Sequence, residues 1–198
     1  MAFFVALIAT VFLVGWTQPG AHAKVAMVFG AGLSMLFGIS ALYHRVDWSP
    51  RARQWMRSVD HSAIFVLIAA GYTPLFGLVP GSDGRHRALL VVWIGALVGT
   101  VKSITWPSAP KWLTASLCVG LGWLVVGEVM ERTAVVGASC IGFLVASGLV
   151  YSAGALVYAR RKPDPIPQVF GYHEVFHAIV IGASACLFTH VVLVLRAA

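Results

Sequence analysis

The sequence predicts an all-α membrane protein: one seven-transmembrane-helix bundle over residues 1–198, with a cytoplasmic N-terminus and the C-terminus outside. Three observations lead there. The chain is 59% hydrophobic and 11% charged, with a mean hydropathy of +0.86. A soluble domain carries about 25% charged residues, so a soluble globular enzyme is excluded. Apolar runs of the roughly 17–25 residues needed to cross a bilayer recur along the whole chain. Finally, 14 Lys and Arg against 7 Asp and Glu leave a charge of +7. On a membrane protein this excess reads as orientation rather than nucleic-acid binding.

The spans follow in order, each closed by turn or charge signals. The first covers about 2–17 and ends at Gln18-Pro19-Gly20. Ala21-His22-Ala23 has the A-x-A form of a signal-peptide cleavage site, but no Lys or Arg precedes the run, which is therefore kept as a short span. The second, about 24–44, stops at the basic stretch from Arg45 to Ser58. The third, about 60–79, meets Pro80-Gly81-Ser82-Asp83-Gly84. The fourth, about 87–105, meets Trp106-Pro107 and the residues to Pro110. The fifth, about 111–130, ends at Glu131-Arg132, and the sixth, about 133–158, at Arg160 to Pro167. The seventh is about 172–195. Backbone groups in lipid must be paired within the chain, so these runs are helices.

Smaller features fit this plan. Gly95 and Gly99 have GxxxG spacing, and with Gly38, Gly120 and Gly127 they read as close-packing positions. Cys118, Cys140 and Cys186 lie in apolar runs without a CxxC and read as small buried hydrophobes. Trp16, Trp48, Trp55, Trp106 and Trp112 fall at span ends, as an interfacial belt does.

Cytoplasmic connections are enriched in Lys and Arg. One side holds Arg45, Arg51, Arg53, Arg57, Lys102, Lys111, Arg160, Arg161 and Lys162; the other holds Lys24, Arg85, Arg87, Arg132 and Arg196. That divides the 14 basic residues nine to five, and the richer side is that of the N-terminus.

Polar residues at the ends of spans are functional candidates, because the bilayer disfavours them. His44 ends the second span, Asp60 begins the third, and His173 and His177 begin the seventh. Alternating helix directions put all four at one, cytoplasmic-side depth. His173 and His177 are i and i+4, so their imidazoles share a helical face. Ser40 and His44 have the same spacing, with the hydroxyl about 6 Å deeper. Three neutral nitrogen ligands suit zinc and leave a fourth position open, as in catalytic sites. Asp60 would orient a ligand or accept a hydrogen bond at that position, and Ser40 would hold water or a substrate carbonyl.

His173-Glu174-Val175-Phe176-His177 also reads as HExxH, with Glu174 as the general base of an intramembrane metalloprotease. No later span offers a third ligand, since His190 lies near the opposite leaflet. Glu174 equally suits a helix N-terminus. His22, His86 and His190 are read as ordinary residues of the other side, His61 as pointing off the Asp60 face, and Glu128 and Glu131 as solvated.

Three segments together, Ser40-Ala41-Leu42-Tyr43-His44, Val59-Asp60-His61-Ser62-Ala63-Ile64-Phe65 running to Gly71-Tyr72-Thr73-Pro74, and His173-Glu174-Val175-Phe176-His177, resemble the hemolysin III branch of the progestin and adipoQ receptor family. The resemblance implies a seven-helix fold with the N-terminus inside and zinc near the cytoplasmic face. It implies that the ligands are His44, His173 and His177, with Asp60 and Ser40 beside them. The family's polar ExxN-type motif before the first span has no counterpart in this sequence.

The expected setting is the cell membrane, a bacterial plasma or inner membrane, crossed several times. The expected partners are membrane lipids and a lipid-like substrate within the bundle, and not nucleic acid. One reading is a zinc-dependent hydrolase of a lipid-like amide, similar to alkaline ceramidases, serving membrane lipid homeostasis. A second is a non-catalytic, receptor-like sensor of membrane state in which zinc is structural. The third is a pore-forming hemolysin, which seven hydrophobic spans make hard to secrete as a soluble form.

Overall fold

A computed structural model describes residues 1–81, 85–166 and 168–198, with residues 85 and 86 described by backbone alone. The expected turn at Ser82-Asp83-Gly84, the side chains of Arg85 and His86, and Pro167 therefore lie outside the described residues. Among the described residues the elements are helices: α1 (Ala2–Trp16), α2 (Ala21–Arg45), α3 (Pro50–Leu78), α4 (Arg85–Thr105), α5 (Lys111–Trp123), α6 (Val126–Glu131), α7 (Thr133–Val136), α8 (Ala138–Arg160) and α9 (Tyr172–Ala197). Six helical segments are long and apolar enough to cross a membrane: α2, α3, α4, the α5–α6 pair, α8 and α9. The first expected span is the shorter α1, whose 15 residues extend about 22 Å against a hydrocarbon core of about 30 Å.

α3 forms the axis of the bundle. Its apolar window is 67% buried, against 22–39% for the other five segments. It packs along α2 and α4, α8 packs along α9, and α5 lies on α8. Phe29, Phe65, Phe76, Val92, Val191 and Val194 are buried at these seams. Leu90, Ile94, Leu97 and Val98 of α4 are exposed, as are Ile8, Val11 and Phe12 of α1. These apolar faces suit lipid rather than water.

Between helices, polar side chains find partners, because an unpaired polar group in hydrocarbon is costly. Thr10 of α1 donates to the Gly30 carbonyl at 3.0 Å. Tyr151 and Ser184 join α8 to α9 at 2.7 Å, and Ser147 donates to the Ala183 carbonyl at 3.0 Å. Pro74 sits inside α3, where its ring removes one backbone donor. Just before it, Thr73 donates back to the Ala69 carbonyl at 2.9 Å and accepts the Trp93 indole N–H at 3.2 Å.

The structure revises several boundaries. The stretch from Arg45 to Ser58 is not a long connection, since only residues 46–49 leave the helices. Ser49 accepts from the Ala52 amide at 3.4 Å and Pro50 occupies the first turn, which is the usual chemistry of a helix start. Its polar residues mislead because a helix that projects to headgroup level can be charged all round. Asp60 therefore lies about three turns inside α3 rather than at its beginning. The fifth span is interrupted at Leu124-Val125. The sixth begins after Gly137, whose φ of +84° is a left-handed conformation that glycine adopts without strain.

Arg132 is more than the charge that closes the fifth span. It is 1% exposed, donates through Nε to the Val79 carbonyl at 3.2 Å and through Nη1 to the Glu128 carbonyl. The Glu128 carboxylate lies 3.5 Å away, and the guanidinium sits 4.7 Å from the Phe76 ring centre. A buried cation is tolerated only with such partners, and these tie α6 to the end of α3. Glu128 is correspondingly half-buried, while Glu131 is exposed.

The glycines divide into two groups. A Cβ on Gly99 would lie 2.3 Å from the Phe65 ring of α3, and one on Gly95 would lie 2.4 Å from Leu121 of α5. On Gly38 it would meet Phe3 at 3.0 Å. Gly120 and Gly127 have nothing within 4 Å, so the close-packing reading fails for these two. Gly99→Ala should therefore lower thermal stability in detergent by about 1–3 kcal/mol through overpacking. Gly120→Ala should be neutral or slightly stabilising, through helix propensity of up to about 1 kcal/mol. Equal melting temperatures for the two variants would contradict the helix contact.

Candidate metal centre

Two short pieces of local structure set the site. α2 and α3 are joined by only four residues, 46–49, so the last turn of α2 faces the first half of α3. The Trp48 indole N–H donates to the Leu42 carbonyl at 3.3 Å and closes the α2 end beside His44. At the start of α9, two of the amides that a helix N-terminus leaves unpaired are capped. The Tyr172 amide donates to Asp164 at 2.7 Å, and the Gly171 amide donates to Glu174 at 2.9 Å. The caps fix the turn from which His173 and His177 project.

The three imidazoles converge. His173 Nε2 lies 3.2 Å from His44 Nε2 and 3.1 Å from His177 Nε2. All three donor atoms lie within 4.8 Å of one another, so the group could hold a metal ion. The rings meet at 58°, 83° and 89°, edge against edge rather than stacked. As a hydrogen-bond network the cluster is poor. The His173 Nε2 stands between two other imidazole nitrogens, and one lone pair or one proton must serve both. As a ligand set it fits: nitrogens about 2.0–2.1 Å from a tetrahedral ion stand about 3.3–3.4 Å apart, close to the two spacings found here.

Ser40, Asp60 and the three histidines all line one cavity of about 460 Å³, within the usual range for a small-molecule site. The Ser40 hydroxyl lies beside the Asp60 carboxyl, near enough to act on it electrostatically. Ser40 lies one helical turn below His44 on α2. Glu174 is exposed, its carboxylate engaged with the Gly171 amide. It acts as a helix cap and not as a base aimed into the cavity.

Sequence reasoning missed the rest of the mouth. His61 does not point away; it lines the cavity and pairs with the Tyr158 hydroxyl at 3.1 Å. Lys111 donates to the Tyr172 hydroxyl at 3.0 Å and lies 4.5 Å over the Tyr158 ring. These links join α3, α8, α5 and α9 around the opening. The available signal was the adjacency of His61 to Asp60 and of Tyr172 to His173, but helical phase alone assigns neither to the cavity. His190 is likewise no surface residue. It is buried, with Nδ1 2.9 Å from the Cys140 carbonyl. All three cysteines are free.

A family model described as haemolysin-III related matches residues 1–188. The chain is 32% identical over 162 residues to a hemolysin-3 homolog of Bacillus subtilis, covering 81% of this chain and 72% of that one. It is 30% identical over 171 residues to hemolysin-3 of Bacillus cereus, covering 85% and 74%. It is 27% identical over 179 residues to the adiponectin receptor protein of Drosophila melanogaster, covering 80% of this chain but 40% of that longer one. No solved structure matches. With a family model spanning nearly its whole length and relatives on both the hemolysin-3 and the adiponectin-receptor side, the chain belongs to the hemolysin III branch of the progestin and adipoQ receptor family.

Proposed function

We propose that this protein is a zinc-dependent hydrolase of a lipid-like amide, acting in the cell membrane of a bacterium and serving membrane lipid homeostasis. The observation that carries the reading is the meeting of three imidazole Nε2 atoms with a carboxyl–hydroxyl pair at the head of a deep, mostly apolar cavity. In this reading the whole chain is one seven-pass domain, α1 being the short first pass, with its N-terminus cytoplasmic.

His44, His173 and His177 would hold the ion. When bound, zinc supplies Lewis acidity, polarising a carbonyl oxygen and making water a nucleophile near neutral pH. Asp60 accepts the proton of the attacking water. Ser40 keeps the Asp60 carboxyl oriented and offers its hydroxyl to the substrate carbonyl. The water oxygen bonds to the acyl carbon, the C–N bond breaks, and Asp60 returns its proton to the departing amine. The apolar walls below take the acyl chain. Exclusion of bulk water there strengthens each of these polar contacts.

Purified protein should carry about one zinc per chain, and His44→Ala and His173→Ala should each lose most of it. Full retention in both variants would overturn the metal assignment. Asp60→Asn should keep the zinc and lower release of fatty acid from a panel of ceramides and related amides by about 10²–10⁴-fold. If Asp60→Asn restores membrane fluidity in a deletion strain as well as the native chain does, the site is a sensor with structural zinc and not an enzyme. A reporter fused after Ala198 should be silent when it requires the cytoplasm; activity of such a fusion would reverse the orientation.

A further inference from the structure

The inner end of the cavity is built differently from its mouth. Along α5 the lining residues include Lys111, Thr114, Cys118, Gly122 and Trp123, one continuous helical face. From Lys111 to Trp123 that face descends about 18 Å. Trp123 stands at its foot, where α5 stops and the chain turns at Leu124-Val125 before α6. The indole is pinned: Nε1 donates to Ser152 Oγ at 3.0 Å, and Ser152 donates in turn to the Gly148 carbonyl at 2.7 Å. A Cβ on Gly148 would lie 3.3 Å from the indole ring, so only glycine leaves the ring its full room. The Tyr72 hydroxyl donates to the Gly122 carbonyl and anchors the broken end of α5 to α3. Beyond Trp123 lies a second, small cavity of about 20 Å³, which reaches Val126 and Val129 and is also lined by Trp123. Trp123 thus stands between the two cavities, beside Tyr72, Gly122, Leu144 and Gly148, which also line both.

We propose that Trp123 is the stop that sets the chain length of the single-tailed amphiphile this cavity takes. The proposal rests on the reading of the cavity as an acyl-chain site and is independent of whether the chain is hydrolysed. A fully extended chain advances roughly 1.2 Å per bond, so a depth of about 18 Å seats about fifteen carbons with the head at the histidines. Removing the indole opens the way between the two cavities and lets the tail run on toward Val126, nearly one turn further and room for about four more carbons. Val119, one turn above Trp123 on the same lining face, offers the opposite change. A larger side chain there raises the floor.

The test is ligand-induced stabilisation of the purified full chain in detergent, since a bound ligand raises the melting temperature. The probes are saturated fatty acids from decanoic to eicosanoic acid. The native protein should show a stabilisation optimum near the middle of this series. Trp123→Ala should move the optimum to longer acids by about four carbons, and Val119→Phe to shorter ones by a similar step. Trp123→Phe, which keeps an aromatic ring, is the fallback should the alanine variant not fold, and should move the optimum in the same direction by less. An optimum that stays put in the Trp123 and Val119 variants overturns the proposal, as does a native protein with no length preference. A shifting optimum with no amide turnover upholds the stop and removes the hydrolase. Amide turnover without length selection does the reverse.

Discussion

In hydrocarbon, an unpaired polar group has no water to fall back on, and every other feature of this protein is arranged around that constraint. The backbone meets it by being helical through the described spans, apart from the break at Leu124-Val125 in the fifth. The side chains meet it by pairing across seams, as Tyr151 does with Ser184 and Trp93 with Thr73. Even Arg132, buried at one end of the bundle, is surrounded by two carbonyls, a carboxylate and an aromatic face. Among the described residues two buried nitrogens, Arg132 Nη2 and His190 Nε2, have no hydrogen-bond partner, and the three imidazoles depart from the pattern in another way. Their nitrogens face one another at hydrogen-bond distance, yet no choice of tautomers gives each its own partner. A cation at their meeting point would answer the same constraint that the paired seams answer elsewhere.

Placement of that cluster depends on unremarkable local chemistry. A four-residue α2–α3 link, closed by Trp48 and Ser49, lays the SxxxH turn against α3. The capped start of α9 delivers the second and third imidazoles. The cavity then exists because α5 packs on α8 and only lightly on α3 and α4. It leaves a channel between helices whose facing residues include small ones such as Ala115, Gly148 and Ala155. The mouth is ringed by groups that can meet a polar head, and the walls below are mostly apolar, with Thr114, Ser147, Tyr151 and Ser152 among them. That gradient is what an amphiphile requires.

Much of this was legible in the sequence. Hydropathy located the long helices, and i, i+4 spacing placed His173 with His177 and Ser40 with His44, because both signals are local and periodic. Signals that depend on non-local packing were not legible. The charged stretch before Asp60 looked like a loop, since its helix is held by a cap and by neighbours rather than by an apolar stripe. Arg132 read only as the charge that closes the fifth span, because its partners, Val79 and Phe76, are more than fifty residues away. His61 was assigned to the wrong face because its partner, Tyr158, lies on α8. Glycine spacing identified Gly95 and Gly99 correctly but could not separate them from Gly120, whose surroundings are open.

The central claim is that His44, His173 and His177 jointly hold a zinc ion at the head of the cavity. X-ray absorption at the zinc edge on the purified protein examines it most directly. The account predicts a first shell of three imidazole nitrogens at about 2.0–2.1 Å plus one further light ligand, with that shell lost in His177→Ala. A first shell containing sulfur, or one that is unchanged in His177→Ala, would contradict it.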